Sequence, residues 1–174
     1  QRVIRVVDTL SGSLGEGLLV WLACKKRDAG ENLENVARWL EERASRICHW
    51  VTVDDLAHLK RSGRLSSATA AVGSMLNIKP IIHLYEGELQ AAGIVRARKK
   101  SIRKFMDDAK AFFADKNIND YRICTGKGYD KEEYDAFHQE VAEEMKALGF
   151  TGEVESYQIG CTIGVHTGPT PIGI

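Results

Sequence analysis

Leu59-Lys-Arg-Ser-Gly-Arg-Leu-Ser-Ser67, followed by Leu76-Asn-Ile-Lys-Pro-Ile81, is the part of the chain most particular about residue identity. A charged run breaks at Gly63, Ser66 or Ser67 can cap a helix of small residues, and Pro80 opens an apolar run. That order predicts a turn, a helix start whose free N–H groups face outward, and a buried strand. Just upstream, residues 47–53 read as a short strand, and Asp54 or Asp55 can cap a helical turn carrying Leu56, Leu59 and Lys60. Downstream, Gly73 sits inside the small-residue helix at a cost of about 1 kcal/mol relative to Ala, which points to close approach of another backbone or of a ligand. Residues 78–85 and 89–95 then form two strands in hairpin order, joined at Glu86-Gly87-Glu88.

Towards the N-terminus, residues 2–8 read as a β-branched strand and residues 9–17 as a loop. Leu18, Leu19, Leu22 and Ala23 give one helix its apolar stripe; Leu33, Val36, Ala37, Leu40 and Ile47 give the next, with Gly30 as C-cap and Asn32 as N-cap between them. Gly12, Gly15 and Gly17 invite a phosphate-loop reading, but their order is G-x-x-G-x-G, no P-loop Lys follows, and Glu16 puts a negative charge where a phosphate would sit. A tight strand-to-helix turn is the better reading.

Towards the C-terminus, Ile102, Phe105, Met106, Ala109, Phe112 and Phe113 line one side of a helix over residues 101–113. Residues 120–125 read as a strand, 126–128 as a turn, and 131–148 as a second amphipathic helix with Tyr134, Phe137, Val141, Met145 and Leu148 inward, closed by Gly149. Two more strands, residues 152–158 and 161–166, lead to Thr167-Gly-Pro-Thr-Pro171 and a short apolar end. The pattern predicts an α/β fold, a mixed sheet covered by helices.

The 174 residues suffice for one good core, or for one domain and part of another. With 24 basic residues against 24 acidic ones there is no global field to draw in nucleic acid or an anionic membrane, so only transient membrane contact and no nucleic acid is expected. Cys24, Cys48, Cys124 and Cys161 lie far apart without a C-x-x-C pair, which argues against a zinc knuckle, a redox motif or a disulfide framework and fits a reducing cytoplasm. No apolar run approaches the roughly 20 residues that span a bilayer. The chain begins at Gln1, without Met, almost on a strand, as a processed piece or fragment would.

These pieces resemble the DegV family, whose members include the fatty-acid-binding subunits of bacterial fatty acid kinases. The matching stretches are Val-Val-Asp-Thr with its Ser/Gly-rich loop and Gly-Leu-Leu, Val-Asp-Asp-Leu-Ala-His-Leu-Lys-Arg-Ser-Gly-Arg-Leu-Ser, Leu-Asn-Ile-Lys-Pro-Ile, Glu-Gly-Glu-Leu, Val-Arg-Ala-Arg-Lys-Lys and Ile-Gly-Val-His-Thr-Gly-Pro. The resemblance runs from end to end. It implies a remnant of the first DegV-like α/β domain over residues 1–48 and a second, C-terminal DegV-like domain over residues 49–174. It also implies a bound long-chain fatty acid with its carboxyl group near the domain junction, presented to a separate ATP-dependent kinase. No catalytic residue, metal or cofactor is implied.

His166 stands before Thr-Gly-Pro at what reads as the end of a strand, where α/β ligand sites usually lie. The resemblance assigns it to the ligand carboxyl, with Thr167 and Ser66 beside it, and an imidazole is chemically suited to that partner. Thr170 departs from the family's usual Gly, so a differently shaped loop, or loss of the function, is expected. Arg64 reads either as a surface ion pair with Asp54 or Asp55, or as a guanidinium fixed beside helix N–H groups for a carboxylate or acyl phosphate. Arg96, Arg98, Lys99, Lys100, Arg103 and Lys104 form a local basic cluster, most simply a solvated face. The family implies instead that Arg96, Arg98 and Lys99 dock the kinase. His49, His58, His83 and His138 show no metal spacing. The competing functions are a hydrolase or phosphoryl-transfer enzyme using His166 with Arg64, opposed by the lack of a recognisable nucleophile, P-loop or metal cluster, and a shortened scaffold whose uncovered face favours homo-oligomers.

Overall fold

The computed structural model describes residues 2–54, 56–64 and 78–174. Ser66, Asp55, the small-residue helix with Gly73, and the residues before Ile78 in the second signature run lie outside them. The chain forms two compact units, Gln1–His49 with Leu84–Glu88, and Trp50–His83 with Leu89–Ile174.

In the first unit two helices pack together, α1 (Ser13–Asp28) and α2 (Leu33–Glu41). Asn32 caps α2 by accepting from the Asn35 N–H at 2.9 Å, and Gly30 takes φ 87° between the two helices, as their spacing predicts. Leu19, Ala37 and Ala44 are its buried apolar residues. Residues 2–8 are not a strand. They have no neighbouring strand among the described residues, and a β-branched run without a ladder partner leaves its backbone to water. Val6 is 89% exposed, and Arg5 pairs instead with Glu34 on α2. The glycine loop is a tight entry into α1: a Cβ on Gly15 would lie 2.3 Å from His49 Nε2, which itself bonds Ser11 Oγ at 2.8 Å.

The second unit is built on a six-stranded sheet of order β3-β2-β1-β6-β4-β5. Its strands are β1 (His49–Thr52), β2 (Ile78–Tyr85), β3 (Glu88–Arg96), β4 (Cys124–Lys127), β5 (Glu155–Gln158) and β6 (Ile172–Gly173). Glu86 and Gly87, at φ 50° and 80°, make the two-residue turn that joins β2 to β3, a backbone whose twist suits a hairpin. β6 runs antiparallel to both β1 and β4, while β4 and β5 are parallel and joined through α5 (Lys131–Ala147). Residues 126 and 127, which read as a turn, are strand because both β5 and β6 offer them partners. The apolar end of the chain is likewise the strand that joins the two halves of the sheet.

α4 (Arg98–Phe113) and α5 both face the core: Phe105, Met106 and Ala109 from one, Tyr134, Phe137, Val141 and Met145 from the other, all buried. Phe105 and Phe137 meet edge to face at 5.4 Å. Leu148, expected inward, is exposed beyond the end of α5. Under the other half of the sheet, Leu59 of α3 (Leu56–Arg61) is buried with Val53 and Ile82.

One element differs in kind. Residues 161–166, which read as a strand, belong to a helix, α6 (Cys161–Thr167). β5 and β6 take the two places beside β4, and this β-branched segment is not part of the six-stranded sheet. It packs on α3 instead. Gly160 enters the helix, Thr167 Oγ1 bonds back to the Ile163 carbonyl at 3.0 Å, and Gly168 closes it at φ 82°.

Candidate functional site

The packing of α6 on α3 associates the element carrying His166 with the one that leads into Arg64, both in the second unit. His166 lies in the last turn of α6 rather than at a strand end. Its Nδ1 is buried and has no hydrogen-bond partner among the described residues. Such an atom costs free energy unless something arrives to pair with it. Thr167, next to it, already donates its hydroxyl proton within α6.

α3 ends as its sequence predicts. Gly63 takes φ 71° and the Arg64 N–H returns to the Leu59 carbonyl at 2.9 Å. Arg64 is exposed, and its Nη1 donates to the Ser62 carbonyl at 2.6 Å. The expected ion pair with Asp54 is not formed, because Asp54 Oδ1 is held by the buried Lys79 at 2.6 Å. His58, which showed no role in the sequence, lies against the loop after α6: a Cβ on Gly168 would be 2.7 Å from His58 Cδ2. Arg61 Nη2 lies 3.1 Å from His58 Nδ1. A guanidinium only donates, so Nδ1 accepts and the ring proton sits on Nε2.

The loop from Gly168 to Pro171 is held at three successive carbonyls. The Tyr129 N–H donates to Pro169 O at 2.5 Å, Arg98 Nη2 to Thr170 O at 2.7 Å, and the Gly128 N–H to Pro171 O at 2.9 Å. Gly128 has to be glycine for this, since a Cβ there would lie 2.3 Å from Pro169 O. Thr170 fits without strain: the positive φ of the loop falls at Gly168, and Thr170 is not among the residues with positive φ. Gly168, Pro169 and Pro171 also border a cleft of about 330 Å³ with Gly128, Tyr129 and Cys161. Neither His166 nor Arg64 lines it.

The three basic residues expected at a docking surface are placed differently from one another. Arg96 and Lys99 are exposed. Arg98 has a side chain only 13% exposed, and it forks onto Glu133 through Nε and Nη2 at 2.7 and 2.8 Å. Its Nη1 is buried without a partner among the described residues. Glu133, Gly128 and His58 went unrecognised in the sequence; the signals present were the Asp130-to-Glu133 spacing of a capped helix start and the glycine pair around Lys127. Among the described residues no group of three or more His, Cys, Asp or Glu is arranged to hold a metal ion, and no helix is long and apolar enough to cross a membrane.

The second unit is thus a mixed α/β fold in which the half-buried His166, its Nδ1 without a partner among the described residues, precedes a loop clamped at three carbonyls. The family model described as "Uncharacterised protein, DegV family" matches residues 1–174, and the chain belongs to that family. A DegV domain-containing protein of Clostridium perfringens is 34% identical over 95% of this chain and 55% of its own length. The chain has a TM-score of 0.85 and 31% identity to a stearic-acid-binding protein from Eubacterium ventriosum, covering 97% of this chain and 57% of that one. A fatty-acid-binding DegV family protein from Thermus thermophilus has a TM-score of 0.79 and 34% identity, covering 97% and 59%. The chain thus spans a little over half the length of these relatives.

Proposed function

We propose that this protein binds a long-chain fatty acid, with His166 facing the carboxyl group and Arg64, Ser66 and Thr167 around it. The single observation that carries the reading is the buried, unpartnered Nδ1 of His166, a site that a ligand oxygen would satisfy. Two relatives above 30% identity that bind fatty acids support the ligand class. The energetics are favourable, since each methylene removed from water contributes about 0.8 kcal/mol and the polar head costs little once hydrogen-bonded. In this reading residues 1–48 belong to one DegV-like domain and residues 49–174 to another. The protein acts in the cytoplasm as a carrier without chemistry of its own, presenting the carboxyl group to a separate ATP-dependent kinase. Arg96 and Lys99 are exposed on the face that would meet the kinase, while Arg98 contributes from beneath it.

Denaturing extraction followed by mass spectrometry tests this directly. A C16 to C18 fatty acid recovered from the wild-type chain and lost in His166→Ala is the expected result. A chain that yields no lipid, alone and when joined to the remainder of a relative's first domain, overturns it.

A further inference from the structure

Arg98 stands where helix physics disfavours it. It opens α4, whose first turn holds Arg98, Lys99 and Lys100 and no acidic residue, so the positive end of the helix dipole meets three cations. The residue before it, Ala97, has φ 75°, a conformation uncommon for a residue with a Cβ. Adverse charge and a strained turn persist where the surrounding structure over-determines them. Here the surroundings are the bidentate bond to Glu133 and the bond from Nη2 to the Thr170 carbonyl. Glu133 sits in the first turn of α5, where a carboxylate is welcome, and its own N–H is capped by Asp130 at 3.0 Å.

We propose that Arg98, held by Glu133, is a positioning residue that sets the ring of His166 by clamping the Thr170 carbonyl. The other two clamped carbonyls, of Pro169 and Pro171, are both held from the segment Gly128–Tyr129. Arg98 is the clamp that comes from a different element, and it stops the loop pivoting about that segment. The loop begins at Gly168, two residues after His166, and the Gly168 N–H donates to the Gly164 carbonyl at 2.8 Å, so the loop is tied to the last turn of α6. A lysine would keep the charge and lose the fork that engages Glu133 and Thr170 together. The link to ligand binding rests on the fatty-acid reading of His166; the link from Arg98 to the His166 ring does not.

The test compares ring ¹H–¹³C spectra of wild type, R98K and E133Q, with His166 assigned through H166N, and measures stearate binding on the same samples. In R98K the His166 ring resonances move while those of His83 stay in place. E133Q moves them the same way by less. Stearate affinity falls about tenfold in R98K, the order expected when one charge-assisted hydrogen bond no longer preorganises a site. Folded variants whose His166 resonances coincide with wild type overturn the proposal, as does equal movement of His166 and His83, which would mean general loosening. Where R98K fails to fold, the milder E133Q decides. Absence of stearate binding by wild type counts against the fatty-acid reading and leaves the spectra to decide the role of Arg98.

Discussion

Gly168 joins the backbone of α6 to the ring of His58, and it tolerates no side chain. Its φ of 82° is strained for any residue with a Cβ, and that Cβ would lie 2.7 Å from His58 Cδ2. Gly168→Ala should therefore lower stability by about 1–3 kcal/mol, read as a fall in the urea midpoint. Gly17, inside α1 with nothing within 4 Å of an added Cβ, should respond oppositely, Gly17→Ala gaining roughly 0.5–1 kcal/mol. Two glycines thus separate conformational need from helix entropy. The cysteines divide by environment in the same way. Burial, aided by Glu155 and opposed by Arg122, pushes the Cys124 thiol up to about 11, whereas Cys161 is exposed at the start of α6. With iodoacetamide near pH 8, peptide mapping by mass spectrometry should find Cys161 modified early and Cys124 last.

Helix α5 owes its start to Asp130, whose carboxylate accepts from the Glu133 N–H. Asp130→Ala should cost about 1 kcal/mol, measured by thermal or urea unfolding, and should loosen the first turn that carries Glu133. α4 and α5 were the most legible elements in the sequence, because their apolar residues recur at three- and four-residue steps over four turns, and seven of the eleven named there are buried, with Ile102, Phe112 and Phe113 half-buried and Leu148 exposed. The hairpin was equally legible, since Glu86-Gly87 has the chemistry of a turn with two positive φ values. α6 was not. Apart from His166 its residues are β-branched or small and carry no helical stripe, and its packing on α3 comes from tertiary contacts that the local pattern does not encode. Residues 2–8 failed for the related reason that a strand pattern without a partner is only a pattern. Of the candidate site, His166 stood out in the sequence by its context, whereas the orphaned Nδ1 could not be read there, because burial comes from distant neighbours. Arg98 read as surface because its partner lies 35 residues further on.

At the scale of the molecule, acid sensitivity should be traceable to His83, which stacks on Trp50 at a centroid distance of 5.4 Å. Burial holds its pKa below the ordinary 6.5, with Asp108 acting against that shift. Just below pH 6.5 the unfolded chain then binds more protons than the folded one, so stability rises with pH in that window. The contribution is complete above about 6.5 and is lost as pH falls through the folded value. Melting temperatures between about pH 5 and 8 should fall on the acid side for wild type and fall less for His83→Phe. The placement of β6 carries a consequence for how the protein acquires its structure. Val51 and Gly173 are register partners about 120 positions apart, so the contact that joins the two halves of the sheet closes a very long loop. Until Ile172 and Gly173 arrive, β1 and β4 each present an open edge, the kind of surface through which half-folded chains pair with one another. In pulsed hydrogen exchange during refolding, the Trp50 amide, which donates to the Ile174 carbonyl at 3.0 Å, should gain protection after the amides of α5. Raising the protein concentration should divert more chains into aggregates during that interval, and simultaneous protection of both sets of amides would show that the sheet closes in a single step.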